Sequence, residues 1–230
     1  MYKILALTFL LFGFSEALHA QQSRDHVSLG VGPSMVYGEN TGDFSSFKFK
    51  MLPAMAFSYN KQLSHRFDLK STIGAQWMNS GGYENISDQT VIEWGNNGQA
   101  FDFKGIGFFA DVMPVYNFNP EVRNRVPDVV SFYAGLGVGV MHVVREQKVT
   151  NFTPMSGNVI EISDKSTTAA YIPFRFGVSS NLDFDWDYAL EFTAITMTNS
   201  EIDGNNMKNK LVNPDILMQV QIIVKRYIGW

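Results

Sequence analysis

Eight segments of this chain alternate apolar residues with small or polar ones at a period of two: 27–38, 47–60, 66–78, 101–118, 131–146, 167–180, 186–198 and 215–229. That period belongs to a β-strand with different surroundings on its two faces. One face is apolar throughout, as in Val27, Leu29, Val31, Met35 and Tyr37, or Ile172, Phe174, Phe176 and Val178. The composition of the other face restricts the fold most. It carries Ser28, Gly30, Gly32 and Ser34 in the first run, Gly105, Gly107 and Asp111 in the fourth, and Gly135, Gly137 and Gly139 in the fifth. A water-exposed sheet face would carry dense Lys, Glu, Thr and Arg. A face crowded with glycine and a few isolated charges fits the inside of a narrow closed barrel, with the bulky apolar face turned to lipid.

The aromatic residues follow the same plan. Phe57, Tyr59, Phe67, Tyr116, Phe118, Phe132, Trp186, Tyr188 and Trp230 fall at the strand ends joined by short turns, and Tyr37, Phe47 and Trp77 at the opposite ends. Two such belts are expected at the two interfaces of a membrane. The connections alternate short and long, with long ones expected at 79–100, 147–166 and 199–214 and no helix expected within them. Residues 1–20 have Lys3, a short apolar core and Leu18 and Ala20 at cleavage spacing, which reads as an export signal. Residues 21–230 then form one barrel domain.

These features resemble the small eight-stranded outer-membrane β-barrel proteins of Gram-negative bacteria. The opening VSLGVGPSMVYGENTGDFS is similar to the Bacteroidetes-type outer-membrane β-barrel and porin-like families. The resemblance implies an all-β, eight-stranded antiparallel up-and-down transmembrane barrel in the outer membrane. It also implies a last strand read by the barrel-assembly machinery, through Val224, Ile228 and the terminal Trp230, which stands where Phe is commoner. Lipid and lipopolysaccharide would surround the wall, and other outer-membrane proteins are candidate partners.

The chemistry-bearing residues exclude more than they identify. A net charge of −4 leaves no basic footprint for nucleic acid, and the absence of cysteine removes thiolate chemistry. GLGVG at 135–139 lacks the spacing of a nucleotide loop. His26, His65 and His142 show no metal-ligand spacing, so no metal and no cofactor are expected. His142 has lipid-facing parity, where some outer-membrane lipid A deacylases carry a His-x-Ser pair. Val144 occupies the serine position here, and no enzyme is expected.

Lys70, Asp111, Arg175, Glu191 and Lys225 all have lumen parity, four to seven residues from the turn ends of their strands. They are the candidate members of one interior charge network, with Arg175 and Glu191 expected to face each other across a hairpin. Tyr83 and Trp94 in the 79–100 connection are the candidate contacts for an external partner. The expected role is structural or interactive, with a side-chain-filled interior instead of a diffusion pore. The alternatives are an accessory subunit of a secretion or transport complex and a lipid A-modifying enzyme.

Overall fold

The computed structural model describes residues 25–42, 47–119, 129–153, 157–181, 185–207 and 213–228. The export signal and Trp230 lie outside them. The strands are β1 (His26–Tyr37), β2 (Leu52–Gln62), β3 (Phe67–Asn79), β4 (Ala100–Asn117), β5 (Val130–Leu136), β6 (Val138–Thr153), β7 (Gly157–Ser180), β8 (Trp186–Met197) and β9 (Ile216–Tyr227), with one helix, α1 (Gln89–Asn96), between β3 and β4. β5 and β6 keep one register against β4, with Val115 opposite Gly135 and Val112 opposite Val138. They are one strand interrupted at Gly137, beside Pro114, which has no N–H for the ladder. Every strand pairs antiparallel with its sequence neighbour, and β9 returns to β1, with His26 opposite Tyr227 and Tyr37 opposite Ile216. The result is a closed eight-stranded up-and-down barrel.

The side-chain alternation follows the sequence pattern. Leu29, Ile73, Val138, Leu190 and Ile222 point outward and are 54–64 % exposed. Ser28, Lys70, Asp111, Arg175, Glu191 and Gln221 point inward and are at most 7 % exposed. The outward apolar residues girdle all eight strands, far beyond the few hundred Å² of contiguous apolar surface tolerated in water. Near the end where β1 begins and β9 finishes, Phe67 and Tyr116 meet edge-on at 5.2 Å, Tyr116 and Phe118 at 5.1 Å, and the Arg226 guanidinium lies 5.1 Å from the Trp186 ring.

Three expectations about element boundaries are corrected. β2 begins at Leu52, not at 47; Phe47 stands outside it, 84 % exposed with a positive φ of 55°. The 147–166 segment is mostly strand, because β6 runs to Thr153 and β7 starts at Gly157. The 79–100 connection contains α1, eight residues long. β1, β8 and β9 have 12 residues each, near the ~9–11 needed to cross a bilayer. β7 has 24, so a β6–β7 hairpin projects beyond the rest of the wall at the loop end.

Candidate functional site

The lumen is filled in layers, and glycines make the room. Tyr133 and Tyr171 point inward, and each lies opposite a glycine in register, Gly177 and Gly139. A Cβ added at Gly177 would come within 2.2 Å of the Tyr133 ring, and one at Gly139 within 2.4 Å of the Tyr171 ring. Phe109 uses Gly74 in the same way. The inward glycines therefore accept aromatic rings from the adjacent strand, a cross-strand pairing that fixes both faces.

The two tyrosines buttress the interior charges. Arg175 donates through both terminal nitrogens to Asp111, at 2.9 and 2.7 Å, with both side chains at most 3 % exposed. Its Nη1 also donates to Thr72 Oγ1 at 2.7 Å. Tyr171 Oη donates to Asp111 Oδ2 at 2.8 Å. Across the lumen, Lys70 Nζ meets Glu191 Oε2 at 2.5 Å, and Tyr133 Oη donates to the same oxygen at 2.8 Å. Arg175 Nε lies 3.5 Å from Glu191 Oε1 and joins the two halves.

Lys70, Asp111, Arg175 and Glu191 are thus in contact. Arg175 and Glu191 are diagonal neighbours, since Arg175 stands opposite Thr193 and Glu191 opposite Gly177. Asp111, two strands away on β4, is the nearer partner of Arg175. Lys225 lies lower, its ammonium 4.5 Å from the Tyr133 ring centre. Opposite Lys225 on β8 is Asp187, 1 % exposed, whose carboxylate accepts from Tyr227 Oη at 2.9 Å and Ser180 Oγ at 3.2 Å. Sequence reasoning missed Asp187, Tyr133 and Tyr171. Inward parity opposite a charge or a glycine was the available signal.

Above the charges the lumen holds an apolar cluster, with Gln219 Nε2 donating to Gln76 Oε1 at 2.7 Å and Arg145 Nε donating to Gln147 Oε1 at 3.2 Å among the buried polar groups of the same region. Met78, Phe103, Phe109, Met141, Ile195 and Leu217 form one buried cluster, and Ile202 caps it from the β8–β9 connection. That connection folds over the mouth. Glu39 N–H donates to Asp203 Oδ2 at 2.6 Å, Asn40 Nδ2 donates to the Asp203 and Ala100 carbonyls at 3.0 Å each, and Ala100 N–H donates to the Gly204 carbonyl at 3.0 Å. Gly204 has a φ of +81°, which favours glycine at this turn.

Beside the mouth, α1 packs on the end of β6. Val91 and Trp94, three residues apart, enter a cluster with Phe101, while Gly95 approaches the Thr150 carbonyl so closely that a Cβ would sit 1.7 Å from it. This corrects the expectation for Trp94. It is 4 % exposed and anchors the helix, because its ring fills the gap between α1 and β4. Tyr83 is 43 % exposed. Glu84, partly buried and near Asp88, has its pKa raised, burial being the larger cause. A carboxyl raised in the folded state binds its proton more tightly there, so mild acid favours this connection. A cleft of about 250 Å³ opens nearby, lined by Asn79, Asp102, Lys104, Glu146 and Lys148 among others.

Two features remain on the outside. His142 Nδ1 lies 2.8 Å from Thr168 Oγ1 on the outward face, with Val144 two residues on. The second is the edge of β7. β7 pairs with β8 only from Tyr171 to Ser179, and Thr198 N–H caps the Ala170 carbonyl. Among the described residues, no strand pairs with β7 on that side from Gly157 to Ala169. β6 covers the other side of this segment, from Gly157 to Ala169. Val159, Ile160 and Ile162 in this segment are 43–60 % exposed.

No protein-family model matches the chain, and no curated protein matches it in sequence. Among solved structures it is similar to Ail, the attachment invasion locus protein of Yersinia pestis, in complex with the heparin analogue sucrose octasulfate, at 12 % identity and a TM-score of 0.48, covering 90 % of this chain and 100 % of that one. Neisserial surface protein A is similar at 12 % identity and a TM-score of 0.47, covering 90 % and 100 %. The outer-membrane protein OprG of Pseudomonas aeruginosa is similar at 9 % identity and a TM-score of 0.41, covering 90 % and 98 %.

Proposed function

We propose that this chain is an outer-membrane barrel of a Gram-negative cell whose role is binding at the cell surface, with a closed interior in place of a diffusion pore. Export through residues 1–20 and assembly through a last strand that includes Val224, Ile228 and Trp230 belong to the same reading, as do lipid and lipopolysaccharide around the wall. The apolar girdle supports a membrane location, since only lipid solvates such a surface on every side. The ion-paired layer, the apolar layer above it and the folded-over connection support a closed interior.

The observation that carries the binding role is the open edge of β7. Among the described residues no strand pairs with this edge where it projects past the wall, and such an edge is the template on which another extended segment adds. The 12-residue strands show that crossing does not require a 24-residue one.

The test is photo-cross-linking in living cells, with benzoylphenylalanine at Ile162 on the open edge and, as control, at Ile222 in the middle of the wall. The chain should fractionate with the outer membrane, and a protein adduct should form at Ile162 but not at Ile222. Recovery as a soluble periplasmic protein, or no adduct at Ile162, contradicts the proposal. An adduct to a neighbouring outer-membrane protein would identify an accessory subunit of a larger complex.

A further inference from the structure

We infer that the partner of the β7 edge is a second copy of this chain carried by an opposing membrane, so that the protein tethers one cell surface to another of its kind. The inference rests on the binding role proposed above and adds the identity and orientation of the partner.

The sequence of the edge is the first argument. Two antiparallel copies of a strand pair about a centre, residue i of one opposite residue j of the other with a constant sum. Centred on Ser163, the pairing sets Glu161 opposite Lys165 twice and Val159 opposite Thr167 twice. The other face sets Ile160 opposite Ser166 and Ile162 opposite Asp164, with no like-charge contact. Centring on Glu161, Asp164 or Lys165 instead places like charges directly across from each other. Opposite charges facing across a strand pair stabilise it and like charges oppose it, so the segment favours its own copy in one register.

Symmetry supplies the second argument. Two antiparallel strands of one sheet are related by a two-fold axis perpendicular to that sheet, and a contact between identical surfaces is isologous. The wall of a membrane barrel stands along the membrane normal, so this axis lies in the membrane plane. Rotation about it turns the partner upside down. Copies in one membrane share one orientation and cannot form this contact, whereas copies in two facing membranes can. The open segment, Gly157 to Ala169, spans about 40 Å at ~3.3 Å per residue and lies entirely at the loop end, which is the end that would meet the opposing surface.

The experiment uses the full chain in phosphatidylcholine vesicles, with tethering read by turbidity and by energy transfer between two differently labelled vesicle populations. Wild-type vesicles should tether. Glu161→Lys alone places lysines at both 161 and 165, and Lys165→Glu alone places glutamates at both, so each should fall to the level of empty vesicles. Mixing those two populations should restore tethering, because each then meets the opposite charge. The double substitution should also tether by itself. These positions are exposed on the hairpin, and a gel shift on boiling reports that each variant is folded.

Absence of tethering by wild type, tethering by either single variant as strong as that of wild type, or no recovery on mixing the two, overturns the inference. A foreign protein captured at Ile162 in cells together with untethered vesicles leaves the binding role standing and removes self-pairing. No capture and no tethering removes both.

Discussion

Replacing Asp111 by leucine tests the interior of the barrel most sharply. The change removes both short bonds from Arg175, at 2.9 and 2.7 Å, and strands the Tyr171 hydroxyl that donates to the same carboxylate. Arg175 would keep Thr72 and the more distant Glu191 contact at 3.5 Å. Breaking a buried pair costs about 3–5 kcal/mol because an uncompensated charge remains. Replacing both partners, Asp111→Leu with Arg175→Met, should cost less than either single change.

The resulting coupling energy should reach about 2–3 kcal/mol, the upper range for residues in contact. The same cycle on Arg175 and Glu191 should give about 1 kcal/mol, since that contact is longer and Glu191 keeps Lys70 at 2.5 Å and Tyr133 at 2.8 Å. The assay is urea unfolding of the refolded chain in lipid vesicles, followed by tryptophan fluorescence. A coupling below about 0.5 kcal/mol for Arg175 and Asp111 would mean that water solvates the two charges separately and the packed layer does not exist.

Other perturbations probe other parts. Gly177→Ala should destabilise by about 1–3 kcal/mol through its collision with Tyr133, and much less in a Tyr133→Leu background, measured by the same unfolding. Ile222→Lys, at an outward site in the mid-wall, should cost about 2–4 kcal/mol, while Ile228→Lys next to the termini should cost about 0–1 kcal/mol; equal costs would refute the depth assignment. Trp94→Ala should free α1 from β6, so that protease cuts the 80–99 connection faster while the barrel keeps its gel shift on boiling.

The wall was legible because its two faces meet different surroundings. Each strand that separates lipid from lumen carries the period-two signal, and the inward set Lys70, Asp111, Arg175 and Glu191 could be read from parity alone. The signal fades where both faces meet water. Residues 147–166 alternate poorly for that reason and read as a loop, although their backbone continues as β6 and β7. α1 is hidden by its length: in QTVIEWGN only Val91 and Trp94 mark a buried face.

Aromatic side chains misled in a different way. Those at strand ends read as interfacial belts, and Tyr133 and Tyr171, which belong to neither belt, carry no local mark of the donors that complete the charge layer. The cap over the mouth depends on contacts 60 to 164 residues apart, between Glu39, Asn40, Ala100 and Asp203, which no local pattern announces.

Lipid on the outward face and packed side chains on the inward one can be told apart residue by residue along β9. The chain has no cysteine, so single cysteines can be placed at Val220, Gln221, Ile222 and Ile223 and spin-labelled in vesicles. Collision with oxygen, which concentrates in lipid, and with a water-soluble nickel complex reports each environment. With lipid outside and packed side chains inside, oxygen access is high at 220 and 222, and access to both reagents is low at 221 and 223. High nickel access at 220 and 222 would place water on the apolar face and contradict a membrane barrel, and high nickel access at 221 and 223 would contradict a filled lumen.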